Sequence, residues 1–386
     1  MKLFQSASRF QSGAPARALR AGGRAASRLL TRAFPMPAYL YPHAAGVDIS
    51  DASVKWLVLS QNGGIVSWGE EPLAVGIVKG GIIQDVAALA ATLRLVKKRL
   101  GGISHAHAAL PEEAAYVFSM HVPEGTKYEQ ALEMIEFEFE GRVPIPPAAA
   151  VYDFDIILRH DDGVGEEIGV AVFPLDLAQS YYDSFEAADM RLVSLELEAR
   201  SIARAAVAAS SDQPTTFLVD FGRERTGFAV VKYGVPIFTS TVEVGGDAIT
   251  RALTQSLKLS EADAVTFRNE EGLAPKDPLQ SAGVEAAAGT AAALSDEIAR
   301  HYHYWDTRRN DRGDRLSPLG KIVLVGGSAN LHGLPEYIAG RVQAPAEIAD
   351  VWQHIVNYDT YIPPIDRRHS LQYATAAGLA MRSVDI

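Results

Sequence analysis

The sequence predicts an α/β protein of two similar domains joined by a hinge, and three observations carry that expectation. The 386 residues suffice for two domains of ordinary size, each with its own core. After residue 44, strand-like and helix-like segments alternate to the end. The strand–turn–strand GVDISDASVKWLVLSQNG, residues 46–63, returns as VDFGRERTGFAVVKYG, residues 219–234. An offset of 172 sets Asp48 on Asp220, Ser50 on Gly222 and Val58 on Val230. That period is far too long for a solenoid, so it marks a duplicated domain.

The elements follow in order. GVDISDASVKWLVLS and GGIVSWGEEPLA read as successive strands, and Val86–Leu100 as a helix with a basic end, KKRL. HAALPEE and AYVFSMHVP give a strand, a turn and a strand. Tyr128–Glu140 is an acidic helix that stops where Pro144, Pro146 and Pro147 forbid its continuation. AVYDFDIIL and EEIGVAVFP are strands joined by the polar turn HDDGVGE. A helix at Leu177–Ala188 and the segment LVSLELEARSIARAAVA lead to the linker SSDQPTT at 210–216. The second half restarts with FLVDFGRERTGFAVVKYGVPIFTS. GGDAITRALTQSL opens a helix, and VEAAAGTAAALSDEIARHYHYW forms a long one. A charged loop, DTRRNDRGDRLSP, then precedes KIVLVGGSANLHGLPEYIAGRV, a buried strand, a glycine pair and a helix. LQYATAAGLAMR closes the chain as a helix of small residues.

Composition narrows the function. Hydrophobic residues make up 48% and charged residues 22%, normal for a globular protein. Cysteine is absent, which removes disulfides, thiolate metal sites and cysteine nucleophiles. Seven basic residues (Lys2, Arg9, Arg17, Arg20, Arg24, Arg28, Arg32) and no acid fall in residues 1–40, so the net charge of −11 leaves −18 on the rest. So acidic a body repels phosphate backbones, and nucleic acid is not expected as a partner. No apolar run approaches the ~20 residues that span a bilayer. The basic start has three readings: a membrane-surface segment, a disordered tail, or a stretch preceding a true start at Met36.

The repeated turn suggests its chemistry. A small residue after an acid-tipped strand permits a tight turn whose N–H groups form a nest for an anion, with Ser53 and Thr226 adding hydroxyl donors. Asp48 and Asp220 suit a hydrated Mg²⁺ that neutralises phosphate. Either turn alone is most often only a turn. Gly326 and Gly327, directly after a buried strand and before a helix, add a third element where backbone can approach a nucleotide closely. His301 and His303 are two apart on a helix and make a poor metal pair, and Tyr302, Tyr304 and Trp305 read as core. Arg308, Arg309, Arg312 and Arg315 read as a solvated charged loop.

These motifs resemble the actin-like ATPase superfamily, two RNase H-like domains around a nucleotide cleft. The first phosphate loop reads Asp48 through Lys55, the second Asp220, Gly222 and Thr226, and the adenosine motif Gly326, Gly327 and Ser328. Two further segments, MHVPEGTKYEQALEMIEFEFEGRVPIPPAAAVYDFDII and SYYDSFEAADMRLVSLELEARSIARA, resemble the PilM family of type IV pilus assembly, with Pro123, Pro144, Pro146, Asp153, Glu196, Glu198 and Ala199 at its characteristic places. The resemblance covers residues 46 to about 382. It implies a first domain at 41–210 with an inserted α+β subdomain at 104–192, and a second domain at 211–386, after the leading 1–40. It implies ATP with Mg²⁺ as cofactors, bound through Asp48, Ser50, Ser53, Lys55, Asp220, Gly222, Thr226, Gly245, Gly246, Arg268, Gly326, Gly327 and Ser328.

The resemblance further implies an adaptor on the cytoplasmic face of a bacterial inner membrane. Its partners would be the N-terminal peptide of a bitopic PilN-like protein and, through it, platform and motor proteins. Glu196 and Glu198 are the candidates for orienting an attacking water, with at most one of them facing the cleft. Slow or negligible hydrolysis is the expectation. Ser50 replaces the family's glycine, at a cost of about 1–2 kcal/mol if that position needs a left-handed backbone. Val265 and Arg268 replace the family's Glu and Lys, and Arg268 retains the ability to stack on adenine. A same-fold adaptor of a related secretion or pilus system is the alternative. A superfamily kinase is a poor one, since Glu112 and Glu113 have no Asn-Asp cluster beside them.

Overall fold

The computed structural model describes residues 43–61, 63–159, 165–207, 215–274, 281–309 and 318–384. The basic leading segment with Met36, most of the HDDGVGE turn and the SSDQPTT linker, and Arg312 and Arg315 lie outside the described residues.

The first half contains β1 (Ala44–Ile49), β2 (Ser53–Leu59), β3 (Ile65–Pro72), the short β4 (Val78–Lys79) and β5 (Ile82–Ile83), and α1 (Val86–Arg99). There follow β6 (His105–Leu110), β7 (Tyr116–Val122), α2 (Tyr128–Arg142), β8 (Ala150–Arg159), β9 (Glu166–Pro174), α3 (Leu175–Ala187), β10 (Arg191–Leu197) and α4 (Glu198–Ala206). The second half has β11 (Thr215–Phe221), β12 (Thr226–Lys232), β13 (Val235–Val242), α5 (Gly246–Leu257), α6 (Glu261–Glu270) and α7 (Ser281–Thr307). It ends with β14 (Lys321–Val325), α8 (Leu334–Val342), β15 (Ala346–Ile348), α9 (Arg367–Ser370) and α10 (Ala374–Ala380).

The duplication read from sequence is a duplication of topology. One five-stranded sheet runs β3-β2-β1-β6-β10 and the other β13-β12-β11-β14-β15. In each, the acid-tipped hairpin is antiparallel and the two strands on its far side are parallel. The hairpin strands β1 and β11 are buried almost throughout, as central strands covered on both faces must be. Helix α1 begins where the Asp85 carboxylate accepts the Ala88 N–H, and it buries Leu89, Leu93 and Val96 on one stripe.

A third sheet, β7-β9-β8, packs against α2 around its own core of Phe118, Ile135, Phe139, Ile168 and Val170. This unit lies inside 104–192, but that span also takes in β6 and β10, which belong to the first five-stranded sheet, and α3, which packs on α1. The unit leans on the second half, where Lys232 Nζ meets Glu167 at 2.7 Å and Arg200 joins Asp155 at 2.7 Å to the Gly234 carbonyl at 2.9 Å.

Helix α10 packs on β1 and α4 rather than on the second sheet. Gly46 and Gly378 allow the approach, since a Cβ at Gly46 would overlap the Ala376 carbonyl and one at Gly378 the Ser201 carbonyl. Two expectations need correction here. Tyr302 and Trp305 are buried, but Tyr304 is 60% exposed, because it projects from α7 away from the face that packs on β13. Glu196 and Glu198 do not share one strand: β10 ends at Leu197 and Glu198 opens α4.

Candidate functional site

The tips of the two hairpins face one cavity of about 150 Å³ between the halves, lined among others by Ser50, Asp51, Glu112, Glu198, Asp220 and Gly222. The first turn is closed by its serines. Ser50 Oγ donates to the Ser53 carbonyl at 3.0 Å and accepts the Ser53 N–H at 3.2 Å. Neither Ser50 nor Gly222 has a left-handed backbone, so the replacement of glycine at Ser50 carries no conformational penalty. At Gly222 a Cβ would instead come within 2.9 Å of the Arg225 carbonyl. Asp48 is buried and lies across the hairpin from Lys55 in the β1–β2 register. Lys55 Nζ is 3.1 Å from Ser53 Oγ and 3.6 Å from Glu70.

In the second hairpin Asp220 is half-buried at the end of β11. Gly326, which follows the neighbouring strand β14, has φ 87°, and a Cβ there would overlap the Asp220 carboxylate and the Phe221 carbonyl. Only glycine brings the adenosine-type turn this close to the second hairpin. Ser328, buried beyond it, faces Gly246 and Arg268, since a Cβ at Gly246 would overlap Ser328 Oγ and lie 2.9 Å from an Arg268 terminal nitrogen. Asp220, Gly326, Ser328, Gly246 and Arg268 therefore form one wall. Gly327 lies beside Gln372 instead.

Four sequence-predicted site residues have structural partners in this geometry. Thr226 is fully buried and its hydroxyl donates to the Val244 carbonyl at 2.6 Å, so it braces β12 against the start of α5. The Gly246 and Asp247 amides donate to the Gly222 and Arg223 carbonyls at 3.1 and 2.9 Å. The Gly246 amide is thus committed to the second turn, and Gly245 packs so closely on that turn that a Cβ would overlap the Arg223 carbonyl. Glu196 is fully buried in a bidentate pair with Arg204 at 2.7 and 2.8 Å and a further pair with Arg382. These guanidiniums hold its carboxyl far below the usual range against the opposing effect of burial. Its charge is spent on structure, and it does not reach the cleft.

Glu198 does. It lines the cavity, and its Oε1 accepts a 3.3 Å bond from Thr375. Burial, then the charges of Asp48, Glu112 and Asp220, push its carboxyl well above the ordinary value. Glu112 is raised likewise by burial and by Asp220, against the pull of an Ala199 N–H bond. Asp48 is raised by burial, with Lys55 opposing, and Asp220 is pushed up to about 7 by burial and by Asp48. Four acids crowded around Lys55 suit a ligand that brings further positive charge. Among the described residues, no group of three or more His, Cys, Asp or Glu converges tightly enough to ligate a metal directly.

The sequence reading missed the residues that cross the cleft. The Asp51 carboxylate accepts the Gly80 and Gly81 N–H groups at 2.8 and 2.9 Å and pairs with Arg225 of the second turn. Arg225 also reaches Glu113 at 2.6 Å. Glu112 presses on the second hairpin, where a Cβ at Gly227 would overlap its carboxylate. Signals existed for both sides. VKGGII is a two-glycine hairpin, and both glycines have positive φ, 62° and 69°. The 172 offset sets Arg225 on Ser53, a cation where the first copy has a hydroxyl.

Comparison with known proteins bears on the same frame. A family model described as type IV pilus assembly protein PilM matches residues 46–384. A solved structure of a PilM–PilN type IV pilus biogenesis complex superposes with a TM-score of 0.70 at 19% identity, covering 89% of this chain and 99% of that one. The ethanolamine utilization protein EutJ of Carboxydothermus hydrogenoformans gives 0.52 at 18% identity, over 90% and 91% of the two chains. A stretch of 130 residues is 33% identical to the cell division protein FtsA of Streptococcus pneumoniae, covering 31% of this chain but only 28% of that protein's length. The fold is the two-domain actin-like fold expected from the resemblance of the paired turns. Among the described residues no helix is long and apolar enough to cross a membrane.

Proposed function

The chain belongs to the family of type IV pilus assembly proteins PilM, and from that premise we propose that it is an ATP-binding adaptor of a pilus assembly complex at the cytoplasmic face of an inner membrane. The observation that carries the nucleotide half of this reading is the meeting of both acid-tipped turns and the Gly326 turn on one cleft. In that cleft the turns at Ser50–Ser53 and Gly222–Arg225 border the phosphates, with Lys55 beside the first. Asp48 and Asp220 hold Mg²⁺ through water, the ion supplying the positive charge that the crowded acids lack. Gly326, Ser328 and Arg268 wall the nucleoside end.

Glu198 is the acid positioned to orient water, and burial among like charges favours its neutral form, which accepts no proton from water, in keeping with slow or negligible hydrolysis. The partner half rests on family membership: the N-terminal cytoplasmic peptide of a PilN-like protein binds, and through it the platform and motor proteins assemble. Calorimetry with ATP and Mg²⁺ tests the first half. The expected outcome is saturable binding that Asp220→Ala weakens at least about tenfold, the loss of one charge-assisted contact to the ion. Capture of synthetic N-terminal peptides of inner-membrane pilus proteins, with and without nucleotide, tests the second, and no capture under either condition would refute it.

A further inference from the structure

Among the described residues, the cation that spans the cleft is Arg225. Arg225 leaves the second turn and bridges two carboxylates of the first half, Asp51 of the first turn and Glu113 of the corner between β6 and β7. Each is already committed. Asp51 holds the β4–β5 turn through the Gly80 and Gly81 N–H groups, and Glu113 sits where the chain leaves the first sheet for the inserted one. The cavity at this bridge, about 150 Å³, is below the roughly 300–1,000 Å³ of small-molecule sites. A phosphate offers a guanidinium the same bidentate geometry as a carboxylate, with more charge.

We propose that Arg225 is a phosphate-responsive latch: an anion seated between the two turns takes its guanidinium from Asp51 and Glu113, and so loosens the β4–β5 turn and the root of the inserted sheet together. This rests on the nucleotide reading above and adds how occupancy leaves the cleft. Freed of their common cation, Asp51 and Glu113 face a phosphate of their own sign, and both segments shift toward looser states. The second half is already tied to the inserted sheet through Lys232–Glu167 and through Arg200, which joins Asp155 to the Gly234 carbonyl, so nucleotide releases one tie and leaves these in place.

Hydrogen–deuterium exchange of the full chain reads this at the Gly80 and Gly81 amides and in residues 111–116, beside calorimetry on the same samples. ATP with Mg²⁺ should speed exchange in both segments, and Arg225→Ala should reproduce that without nucleotide, by about three- to tenfold, the worth of a partly exposed ion-pair network. Glu113→Gln, which leaves the bonds of Asp51 intact, should loosen residues 111–116 and spare Gly80 and Gly81. It keeps the test open should Arg225→Ala fold poorly. Binding heat with unchanged exchange would overturn the latch alone. Absence of heat with the native chain would overturn the nucleotide reading and the latch with it. Inorganic phosphate as a second probe separates a response to the anion from one to the nucleoside.

Discussion

Two glutamates two residues apart have opposite fates, because one faces a pair of arginines and the other faces acids. Glu196 is locked between Arg204 and Arg382. Its replacement by Gln leaves two largely buried cations short of a partner, and chemical denaturation should register a loss of about 3–5 kcal/mol. Glu198→Gln removes one charge from a crowd of like charges. It should leave stability equal or higher and, if the protein releases phosphate from ATP, cut that rate about a hundredfold. The pH signs follow. Glu112 and Glu198 bind their protons more tightly folded than unfolded, so their contribution is full below 4.5 and is lost as pH rises through the raised values. Glu196 is depressed, so its contribution is present above 4.5 and is lost as pH falls. The melting temperature should therefore decline as pH rises above 4.5, less steeply in Glu198→Gln, as a thermal series across buffers would record.

The hairpins were legible in the sequence because two signals coincide in each: apolar alternation fixes the strands, and an acid followed by a small residue fixes the turn. That pattern repeats at the level of strand order, which carried the fold class as well. What escaped has a common cause. Thr226 meets Val244 18 positions on, and Glu196 meets Arg382 186 positions on, and no local pattern records such partners. The β4 and β5 strands are two residues each, too short for any periodicity to register. Arg225 looked like one charged turn residue among three in GRERTG, and only the approach of the halves gives it carboxylates to bridge. Element-scale tests therefore belong to the contacts between hairpins. Gly227→Ala puts a methyl group into the Glu112 carboxylate and should part the second hairpin from the β6–β7 corner, weakening nucleotide binding while circular dichroism stays native.

Across the whole molecule, two sheets of the same strand order share one continuous apolar core, and a third sheet keeps a small core of its own. The first half is not self-contained. Its central strand is covered by α10, from the far end of the chain, through glycines that leave no room for a methyl group. Gly46→Ala should cost about 1–3 kcal/mol by overpacking, measurable by urea denaturation, with the loss falling on the first sheet rather than on the second. The same contact sets a schedule during synthesis. Gly46 emerges 330 residues before its neighbour Ala376, an interval of roughly 15–65 s at the pace of a ribosome. Through that time β1 and α4 lack the helix that covers them in the folded chain, and their apolar seam stays open until α10 is made.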